Sequence, residues 1–407
     1  MRKVLLYSDC EFFAGCENML AIFLNNKEHF TDYEFIFLYR YRKEYELGMK
    51  ERIHDQSDTY SLNLWRFSYH KKGKINKIIN IILNKLFSPI FFIQNFIVLY
   101  VNFHKHRSDI CYINNGGYPG AFSSRVAVLA SSLVKMKTIM FVNNISFSYT
   151  NPIRLLDLPL DLLVSKYVDI FITASKKAGT ALKSVLNINN KKHRLIFNAI
   201  DQERFSIASK DLINLNKNNL TNKITFGVIG LHEERKGHIL ILKAAKKIID
   251  TNIDLINKFS VLIEGNGQKT KFLKSYASNN SLEKVVTFSG IEKDIKNFYK
   301  KIDILVVPSI SNEDLPNVIS EALLFGIPVI GSNLAGIPTQ IDDDKNGYIF
   351  SIGDYNELSE KMSIFIKKPE IIKDMSLNCL EKFYKNFSVS STLPQYNEIF
   401  NELMDDK

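Results

Sequence analysis

The chain has 407 residues, 45% of them hydrophobic and 24% charged, with a formal net charge of +10. This length exceeds one ordinary core, and the usual domain size predicts two to three units. The composition is that of an ordinary globular protein. Its four cysteines show neither C-x-x-C spacing nor paired histidines, which argues against a disulfide or metal framework and indicates the reducing cytoplasm.

The positive charge is concentrated in the first half of the chain. Residues 1–200 hold 27 Lys and Arg against 15 Asp and Glu. Between Asp58 and Asp109 there is no acid, while eight Lys and Arg alternate with aromatic and branched apolar residues. This pattern is typical of a helix that contacts an anionic membrane, so residues 59–108 are predicted to lie on the inner face of the cytoplasmic membrane.

The same segment has a second interpretation. Ser88, Pro89 and Gln94 interrupt its apolar run, so it is a poor membrane span and could instead pack as a core helix. Nucleic acid is not an expected partner, because no recognised binding motif accompanies the charge. The apolar start at Val4 is too short for a secretory signal and is typical of a first strand.

Strand-length apolar runs alternate with helical stretches along the whole chain. In the first half the predicted strands are 3–8, 34–39, 109–113, 138–142, 169–174 and 193–197, and the helices include 16–26, 120–134 and 175–186. In the second half the predicted strands are 224–230, 260–264, 285–289, 303–307, 328–331 and 348–350. This alternation predicts an α/β protein whose parallel sheets form two doubly wound Rossmann-like domains.

The predicted domains are residues 1–200 and 201–390, followed by a C-terminal segment, 391–407. The Asn-rich segment 210–223 has little core-forming content and marks the connection between them. Ligands of doubly wound sheets bind beyond the carboxyl ends of the strands. The two domains are therefore expected to face each other across a binding cleft.

Two carboxylates near residue 313 carry the strongest chemical signal. Glu313 and Glu321 are separated by seven residues, the first in a loop after the buried run 302–308 and the second inside a helix. Their spacing gives them different surroundings, although either acid could simply be a solvated surface residue.

The start of that helix adds a binding element. It is predicted near Leu315 or Pro316, with the proline in the first turn. The N–H groups of Asn317 and Val318, reinforced by the helix dipole, make a seat for phosphate. Glu313 precedes this helix start, where a carboxylate would repel phosphate but could accept hydrogen bonds from the neutral hydroxyls of a sugar. Glu321 could accept hydrogen bonds from a second pair of hydroxyls, such as those of a ribose. The combination predicts a nucleotide sugar as ligand.

This segment resembles the E-x7-E motif of retaining GT-B glycosyltransferases of family GT4. The residues that match its wording are Glu313, Pro316, Asn317, Val318, Glu321, Ala322, Gly326, Pro328, Val329 and Ile330. Further segments agree in order and spacing, namely 230–238 with the phosphate-binding loop, 261–267, 285–290 and 334–338. In the first half only weaker likenesses occur, among them Ala14-Gly-Cys-Glu17 to the family's G-G-x-E loop.

The resemblance implies a metal-independent glycosyltransferase without a cofactor, with a first domain that binds the acceptor and a second that binds the donor. It implies that the segment 391–407 is a helix crossing back towards the first domain. Glu313 and Lys236 take the catalytic positions. The donor-binding positions are Gly15, Asn143, Arg235, Gly265, Gly290, Asp314, Leu315, Asn317, Val318 and Glu321. No metal site is implied, and the acidic run 342–344 is interpreted as a solvated turn.

The chain departs from the family pattern at two positions. Leu231 stands where the family has an arginine that shares the diphosphate, so Arg235 is predicted to supply that charge as a bidentate fork. Asn143 stands where family members often carry a histidine. It can donate and accept hydrogen bonds but cannot titrate.

A glycine-rich loop, 114–120, follows the predicted strand 109–113 and should turn tightly near the ligand-binding edge. Gly117 and Tyr118 are candidates for contact with the acceptor, Tyr118 by stacking on a sugar. The alternative is a plain strand-to-helix connection.

The predicted function is transfer of a sugar, with retention, from a UDP-linked donor to a lipid-linked or growing surface polysaccharide. Two alternatives stay open, a sugar-nucleotide epimerase of similar fold and a non-catalytic sugar-nucleotide-binding protein. A nicotinamide-dependent oxidoreductase is disfavoured, because Gly265-Asn-Gly267 lacks the third glycine of that fingerprint.

Overall fold

The computed structural model of the protein describes residues 1–13, 15–66, 74–205, 223–292 and 294–405, without the side chains of 74–78. Contacts divide the chain into two compact units, Met1–Ile196 with Leu393–Lys407, and Phe197–Thr392. The connection predicted at 210–223 lies outside the described residues except for Lys223. The acceptor and donor roles assigned to the two domains stay predictions.

The first unit is built on a parallel sheet of seven strands within the described residues. In chain order they are β1 (Arg2–Ser8), β2 (Tyr33–Arg40), β3 (Thr59–Leu62), β4 (Ile110–Asn115), β5 (Lys137–Val142), β6 (Ile170–Thr173) and β7 (His193–Leu195). The helices of this unit are α1 (Asn18–Asn25), α2 (Lys43–Lys50), α3 (Lys74–Leu86), α4 (Ser88–Lys105), α5 (Phe122–Leu133), α6 (Pro152–Leu155), α7 (Leu158–Tyr167) and α8 (Lys176–Leu186).

Strand order in this sheet is β3-β2-β1-β4-β5-β6-β7. The central strand β1 is completely buried from Val4 to Tyr7, as expected for a parallel strand covered on both faces. Leu5 is in register with Ile36 of β2 and with Cys111 of β4. Because the chain runs outward in opposite directions from β1 and β4, the loops after these two strands diverge and leave a crevice.

The strand β3 was missed by the sequence patterns. It covers only Thr59–Leu62, and Leu62 is its one buried residue. A four-residue edge strand with one core-facing side chain has no apolar run or alternation long enough to recognise. Its pairing with β2, with Phe37 opposite Thr59, is a tertiary feature.

The last helix of the described chain is α16 (Val389–Asp405), and its residues from Leu393 onward belong to the first unit. The Tyr33 hydroxyl donates to Asn401 Oδ1 at 2.7 Å. The Phe23 ring lies 4.9 Å from that of Tyr396, edge to face. These contacts bury aromatic surface of the helix against β2 and α1.

The second unit contains a parallel sheet with strand order β10-β9-β8-β11-β12-β13. Its strands are β8 (Ile224–Ile229), β9 (Phe259–Glu264), β10 (Val286–Gly290), β11 (Ile304–Val307), β12 (Val329–Ser332) and β13 (Gly347–Phe350). Its helices are α9 (His238–Thr251), α10 (Thr270–Asn279), α11 (Ile295–Tyr299), α12 (Asn317–Leu324), α13 (Ile337–Gln340), α14 (Tyr355–Lys367) and α15 (Ile371–Asn386). The prediction of an α/β protein with two doubly wound sheets is confirmed.

The switch point of the second sheet lies between β8 and β11. Phe226 is in register with Val261 of β9 on one side and with Ile304 of β11 on the other. The loops that leave β8 and β11 at their carboxyl ends, residues 230–237 and 308–316, therefore lie side by side.

Helix lengths bear on the predicted membrane contact. Within the described ranges, no single helix combines the length and apolar composition needed to cross a membrane. The helical stretches Ile79–Leu86 and Ser88–Lys105 meet those criteria together, and they are bent by 65° at their junction.

Candidate active site

Lys236 and Glu313 meet where β8 and β11 end. The Lys236 ammonium and one carboxylate oxygen of Glu313, Oε2, form a close ion pair. The Ser309 hydroxyl donates to the same oxygen at 3.3 Å. The side chains are 20% and 14% exposed, so the pair is largely withdrawn from water yet reachable from outside. The structure thus brings the two predicted catalytic residues together.

Arg235 adds a second cation to this pair. Its Nε donates to Glu233 Oε2 at 2.7 Å, and its Nη1 lies 3.8 Å from Glu313 Oε2. Nη1 also donates to the Asn312 carbonyl at 3.2 Å. A phosphate that entered here would meet a preformed guanidinium fork and an ammonium, each now held by a carboxylate.

Glycines shape the loops around the pair. Gly237 has φ +66, and a Cβ added there would lie 1.9 Å from the Pro308 carbonyl oxygen. Gly265 has φ +124, and a Cβ there would lie 2.0 Å from the Gly230 carbonyl oxygen. Both positions need the left-handed region and the missing side chain, which lets neighbouring loops touch.

Gly290, a predicted donor-binding residue, stands at the end of β10 beside this group. Its carbonyl accepts from the Gly265 N–H at 2.6 Å. A glycine therefore stands at or directly after the carboxyl end of β8, β9 and β10, and a ligand could approach the backbone closely there.

Helix α12 begins at Asn317, and Pro316 is its N-cap residue with φ −69 and ψ 122. The proline therefore precedes the helix instead of lying in its first turn. Asp314 and Leu315 are buried, and the Asp314 carbonyl accepts from the Gly336 N–H at 3.0 Å. This bond ties the start of α12 to the loop after β12. Asn317 and Val318 form the first turn of the helix, and their contact with a phosphate stays a prediction.

Glu321 has surroundings unlike those of Glu313. It is 6% exposed, and its Oε2 accepts from the Tyr299 hydroxyl at 2.7 Å. Its Oε1 lies 3.6 Å from Arg204 Nη1. Burial raises the pKa of Tyr299 well above its ordinary value, so the phenol stays a donor to the carboxylate. Neither Tyr299 nor Arg204 was anticipated, since nothing in their local sequence marks them as partners of a carboxylate.

The predicted donor-binding residues of the first unit, Gly15 and Asn143, lie at its own switch point. Gly15 opens a short 3-10 turn, Gly15–Glu17, before α1. The Asn143 amide donates to Asn114 Oδ1 at 2.9 Å and to the Cys16 carbonyl at 3.3 Å. These bonds join the loops after β1 and β5 to the end of β4.

Glu17 is a buried acid that the sequence patterns did not single out as a functional residue. It is completely buried, and its Oε1 accepts from the Ser8 hydroxyl at 2.6 Å. Asn114 donates a close hydrogen bond to its other oxygen. Burial raises the pKa of Glu17 to about 7, against the opposing effect of these hydrogen bonds.

The prediction that Tyr118 stacks on an acceptor sugar does not hold in this structure. Its ring has no exposed surface, and its hydroxyl donates to Asp161 Oδ1 at 2.8 Å. Gly117 beside it remains partly exposed. The glycine that shapes the loop is Gly120, with φ +61, where a Cβ would lie 1.9 Å from Asn115 Oδ1.

Two carboxylates of the acidic run 342–344 are bonded to side chains of α15 and β13. Asp342 accepts from Lys382 Nζ at 2.9 Å, and Asp344 accepts from the Tyr348 hydroxyl at 3.0 Å. Across the described ranges, no group of three or more His, Cys, Asp or Glu is arranged to hold a metal ion. Metal independence of the reaction stays a prediction.

Comparison with known proteins identifies relatives of both halves. The family model described as glycosyl transferases group 1 matches residues 211–381. The UDP-Gal:alpha-D-GlcNAc-diphosphoundecaprenol alpha-1,3-galactosyltransferase of Escherichia coli is 24% identical over 77% of this chain and 80% of its own length. The N-acetyl-alpha-D-glucosaminyl L-malate synthase of Bacillus anthracis is 23% identical over 54% of this chain and 56% of its own length.

Solved structures agree in fold. HepE of Anabaena, in complex with UDP, superposes with a TM-score of 0.74 at 16% identity, covering 98% of this chain and all of that one. A glycosyltransferase from Rickettsia africae ESF-5 gives a TM-score of 0.76 at 16% identity, covering 100% of this chain and 99% of that one. The relatives described here do not favour the epimerase alternative. Residues 211–381 are therefore similar to the glycosyl transferases group 1 family, and the chain has the GT-B fold.

Proposed function

We propose that the protein is a retaining glycosyltransferase that takes a sugar from a UDP-linked donor. The observation that carries this proposal is the Lys236–Glu313 pair at the switch point of the second sheet, beside the start of α12. Both the E. coli galactosyltransferase and the bound state of HepE involve uridine nucleotides. Such a donor needs cations for its diphosphate and acceptors for its sugar hydroxyls, and the pair supplies both.

In this proposal different residues bind the diphosphate, the sugar and the ribose of the donor. Lys236 and Arg235 exchange their carboxylate partners for diphosphate oxygens, while the N–H groups of Asn317 and Val318 face the same group. Glu313, freed from Lys236, accepts from sugar hydroxyls. Glu321 accepts from the ribose, held in place by Tyr299. Gly265 and Gly290 leave room for the nucleotide.

The chemistry follows from the charge that develops. The bond between the anomeric carbon and the leaving phosphate oxygen breaks, which places negative charge on the diphosphate and positive charge on the ring. The cations and amides stabilise that phosphate more strongly in the transition state than in the ground state. The acceptor hydroxyl bonds to the anomeric carbon from the same face, and its proton passes to the departing phosphate oxygen.

The acceptor is proposed to be a lipid-linked or growing surface polysaccharide. The E. coli relative acts on a diphosphoundecaprenol-linked sugar, as its name states. In this chain, helices α3 and α4 expose apolar side chains such as Ile82, Leu86, Ile93 and Ile97, each at least 54% exposed. With the excess of Lys and Arg in this half, that surface suits peripheral contact with an anionic membrane on the cytoplasmic side.

The donor assignment is tested by a thermal-shift screen of UDP-, GDP- and ADP-sugars followed by calorimetry. A ligand of the native state raises the melting temperature, and we expect the UDP-sugars to do so. Lys236→Ala should weaken binding of the UDP-sugar at least about tenfold, since a charge-assisted bond to phosphate is lost. Lys247→Ala, which removes a cation of α9 bonded to Asn356, serves as the matched control. Equal affinity of wild type and Lys236→Ala would reject the proposed phosphate contact.

A further inference from the structure

A cavity of about 640 Å³ lies within the first unit, beside its buried core. Helices α3 and α4 form one wall, with Ile81 and Phe92 among the lining residues. Helix α7 forms the other, with Leu160 and Leu163. The volume is typical of sites for small ligands, and the apolar lining suits a hydrocarbon chain.

The cavity reaches the ligand-binding edge of the sheet. Pro119 and Gly120, in the loop after β4, belong to its lining. This loop is anchored from behind, because Tyr118 and Arg125 Nη1 both donate to Asp161 Oδ1, at 2.8 and 3.1 Å. Part of the cavity lining thus lies just beyond the carboxyl end of a central strand, where the acceptor is expected.

Charge around the cavity is positive on balance. Its lining includes the cations Arg66, Lys85 and Arg125 but one carboxylate, Asp157. Lys85 Nζ and Arg125 Nη1 lie 2.7 and 3.0 Å from Asp157 Oδ1. Arg125 is 3% exposed, and its Nε has no hydrogen-bond acceptor within the described part of the chain. Asp157 and Asp161 already pair with the Nη1 end of this guanidinium, and the Nε–H is left to donate to an anionic ligand.

The rim of the cavity is also apolar. Ile81 and Leu156 both line the cavity and are 44% and 68% exposed. Exposed apolar side chains that border a cavity mark a route for an apolar ligand or a membrane. A ligand that suits all of these features has a long hydrocarbon chain and a strongly anionic head.

We propose that this cavity holds the first isoprene units of a polyprenyl-diphosphate-linked acceptor, with the diphosphate near Arg66, Lys85 and Arg125. This inference rests on the proposed function, which requires a lipid-linked acceptor. A diphosphate fits the net positive lining better than the zwitterionic head of an ordinary phospholipid. The sugar to be extended then emerges at the loop after β4.

The test is a calorimetric titration of the full chain with inorganic diphosphate and with geranyl, farnesyl and geranylgeranyl diphosphate, below their micelle concentrations. Affinity should rise about tenfold or more with each added isoprene unit, since every buried carbon contributes to transfer from water. Dodecyl phosphate should bind at least about tenfold more weakly than farnesyl diphosphate, because its head carries less negative charge and its chain has fewer carbons. Affinity that ignores chain length, or equal affinity for dodecyl phosphate, would overturn the proposal.

Two variants on α3 place the effect in the cavity. Asn84 lines it, and Asn84→Phe fills part of the volume, so geranylgeranyl diphosphate should bind about tenfold more weakly. Ile79 lies outside the lining on the same helix and is 43% exposed, so Ile79→Phe should bind like the wild type. Equal losses in both variants would indicate adsorption to the helix surface and would contradict the proposal.

Wild-type fluorescence provides a measurement that does not depend on any variant folding. Trp65 is the one tryptophan of the sequence and precedes the lining residue Arg66. Its emission should shift to shorter wavelength as geranylgeranyl diphosphate fills the site, and an unchanged spectrum at saturating probe would count against the cavity. These titrations use no sugar nucleotide. If affinity for the diphosphates rises with chain length but the protein transfers no sugar, only the proposed function is contradicted. If the protein transfers sugar but its affinity does not depend on chain length, only this inference is contradicted.

Discussion

Glu313 and Glu321 show how one short segment can hold two carboxylates with different chemistry. Glu313 pairs with a lysine at a loop edge that ligands can reach, whereas Glu321 is buried against Tyr299 and Arg204. The difference arises because a loop and the second turn of α12 point their side chains to different neighbours. Of the two carboxylates, only that of Glu313 lies where, in the proposed function, it could release its lysine partner to a charged ligand.

Replacing Glu313 tests that assignment. Glu313→Gln keeps the shape and removes the charge, and we expect the rate of sugar transfer to fall about 100-fold or more, since electrostatic contacts at the reacting centre have effects of that size. Glu233→Gln, which alters the acid that pairs with Arg235, is the control and should have a smaller effect. Transfer at the wild-type rate by Glu313→Gln would remove this residue from the site.

Glu17 predicts a pH dependence of stability. Its pKa in the folded chain is about 7, above that of an ordinary glutamate, because it is completely buried. Folding therefore takes up a proton between about pH 4.5 and 7, and the free energy of unfolding falls as pH rises through this window, by about 3 kcal/mol. Glu17→Gln should flatten this part of the curve in urea titrations. Glu11→Gln, at an exposed position of the same loop, should leave it unchanged, and an identical slope in Glu17→Gln would contradict the assignment.

At the scale of elements, the loops after β8 and β11 form the candidate site because they are neighbours in the sheet, although Glu313 lies 77 positions after Lys236 in the sequence. Their contact is close: the Ile310 N–H donates to the Arg235 carbonyl at 2.8 Å. Gly237 permits this approach, because any larger residue would collide with Pro308. Gly237 therefore provides both the positive φ of its own loop and the space for the contact with the loop after β11.

Gly237→Ala is expected to lower the free energy of unfolding by more than about 2 kcal/mol, from the strained φ together with the collision. Gly353→Ala is the matched control. Gly353 has φ +80, but an added Cβ would meet no described atom within 4 Å, so only the conformational cost of about 1 kcal/mol should appear. The midpoints of urea unfolding measure both. Equal losses would show that the contact with Pro308 is relieved at little cost.

At the scale of the whole molecule, charge and apolar exposure are both unevenly distributed. The first 200 residues carry the entire positive excess, and helices α3 and α4 of that half expose isoleucines. Electrostatic attraction to anionic lipid adds to partition of apolar side chains, and the electrostatic part is screened by salt.

The full chain should therefore bind vesicles of equal parts phosphatidylglycerol and phosphatidylcholine at low salt and dissociate from them as the salt concentration increases. It should not bind vesicles of pure phosphatidylcholine. The double variant Ile93→Ser, Ile97→Ser should weaken vesicle binding about tenfold or more in flotation assays, as two apolar side chains no longer partition. Leu377→Ser, at a residue of α15 that is 57% exposed, is the control. Failure of the wild type to bind anionic vesicles at low salt would exclude the membrane contact.

The order of strands and helices, the two parallel sheets and the segment with Glu313 were all predictable from the sequence, because apolar periodicity and turn residues act locally. The partners of Glu321, the burial of Tyr118, the short strand β3 and the cavity beside α7 were decided by tertiary structure. Each depends on residues far apart in sequence that the sheet order brings together, such as Tyr118 and Asp161. A local sequence pattern predicts on which face of its own helix or strand a side chain lies. Only the packed tertiary structure determines which residues that side chain contacts.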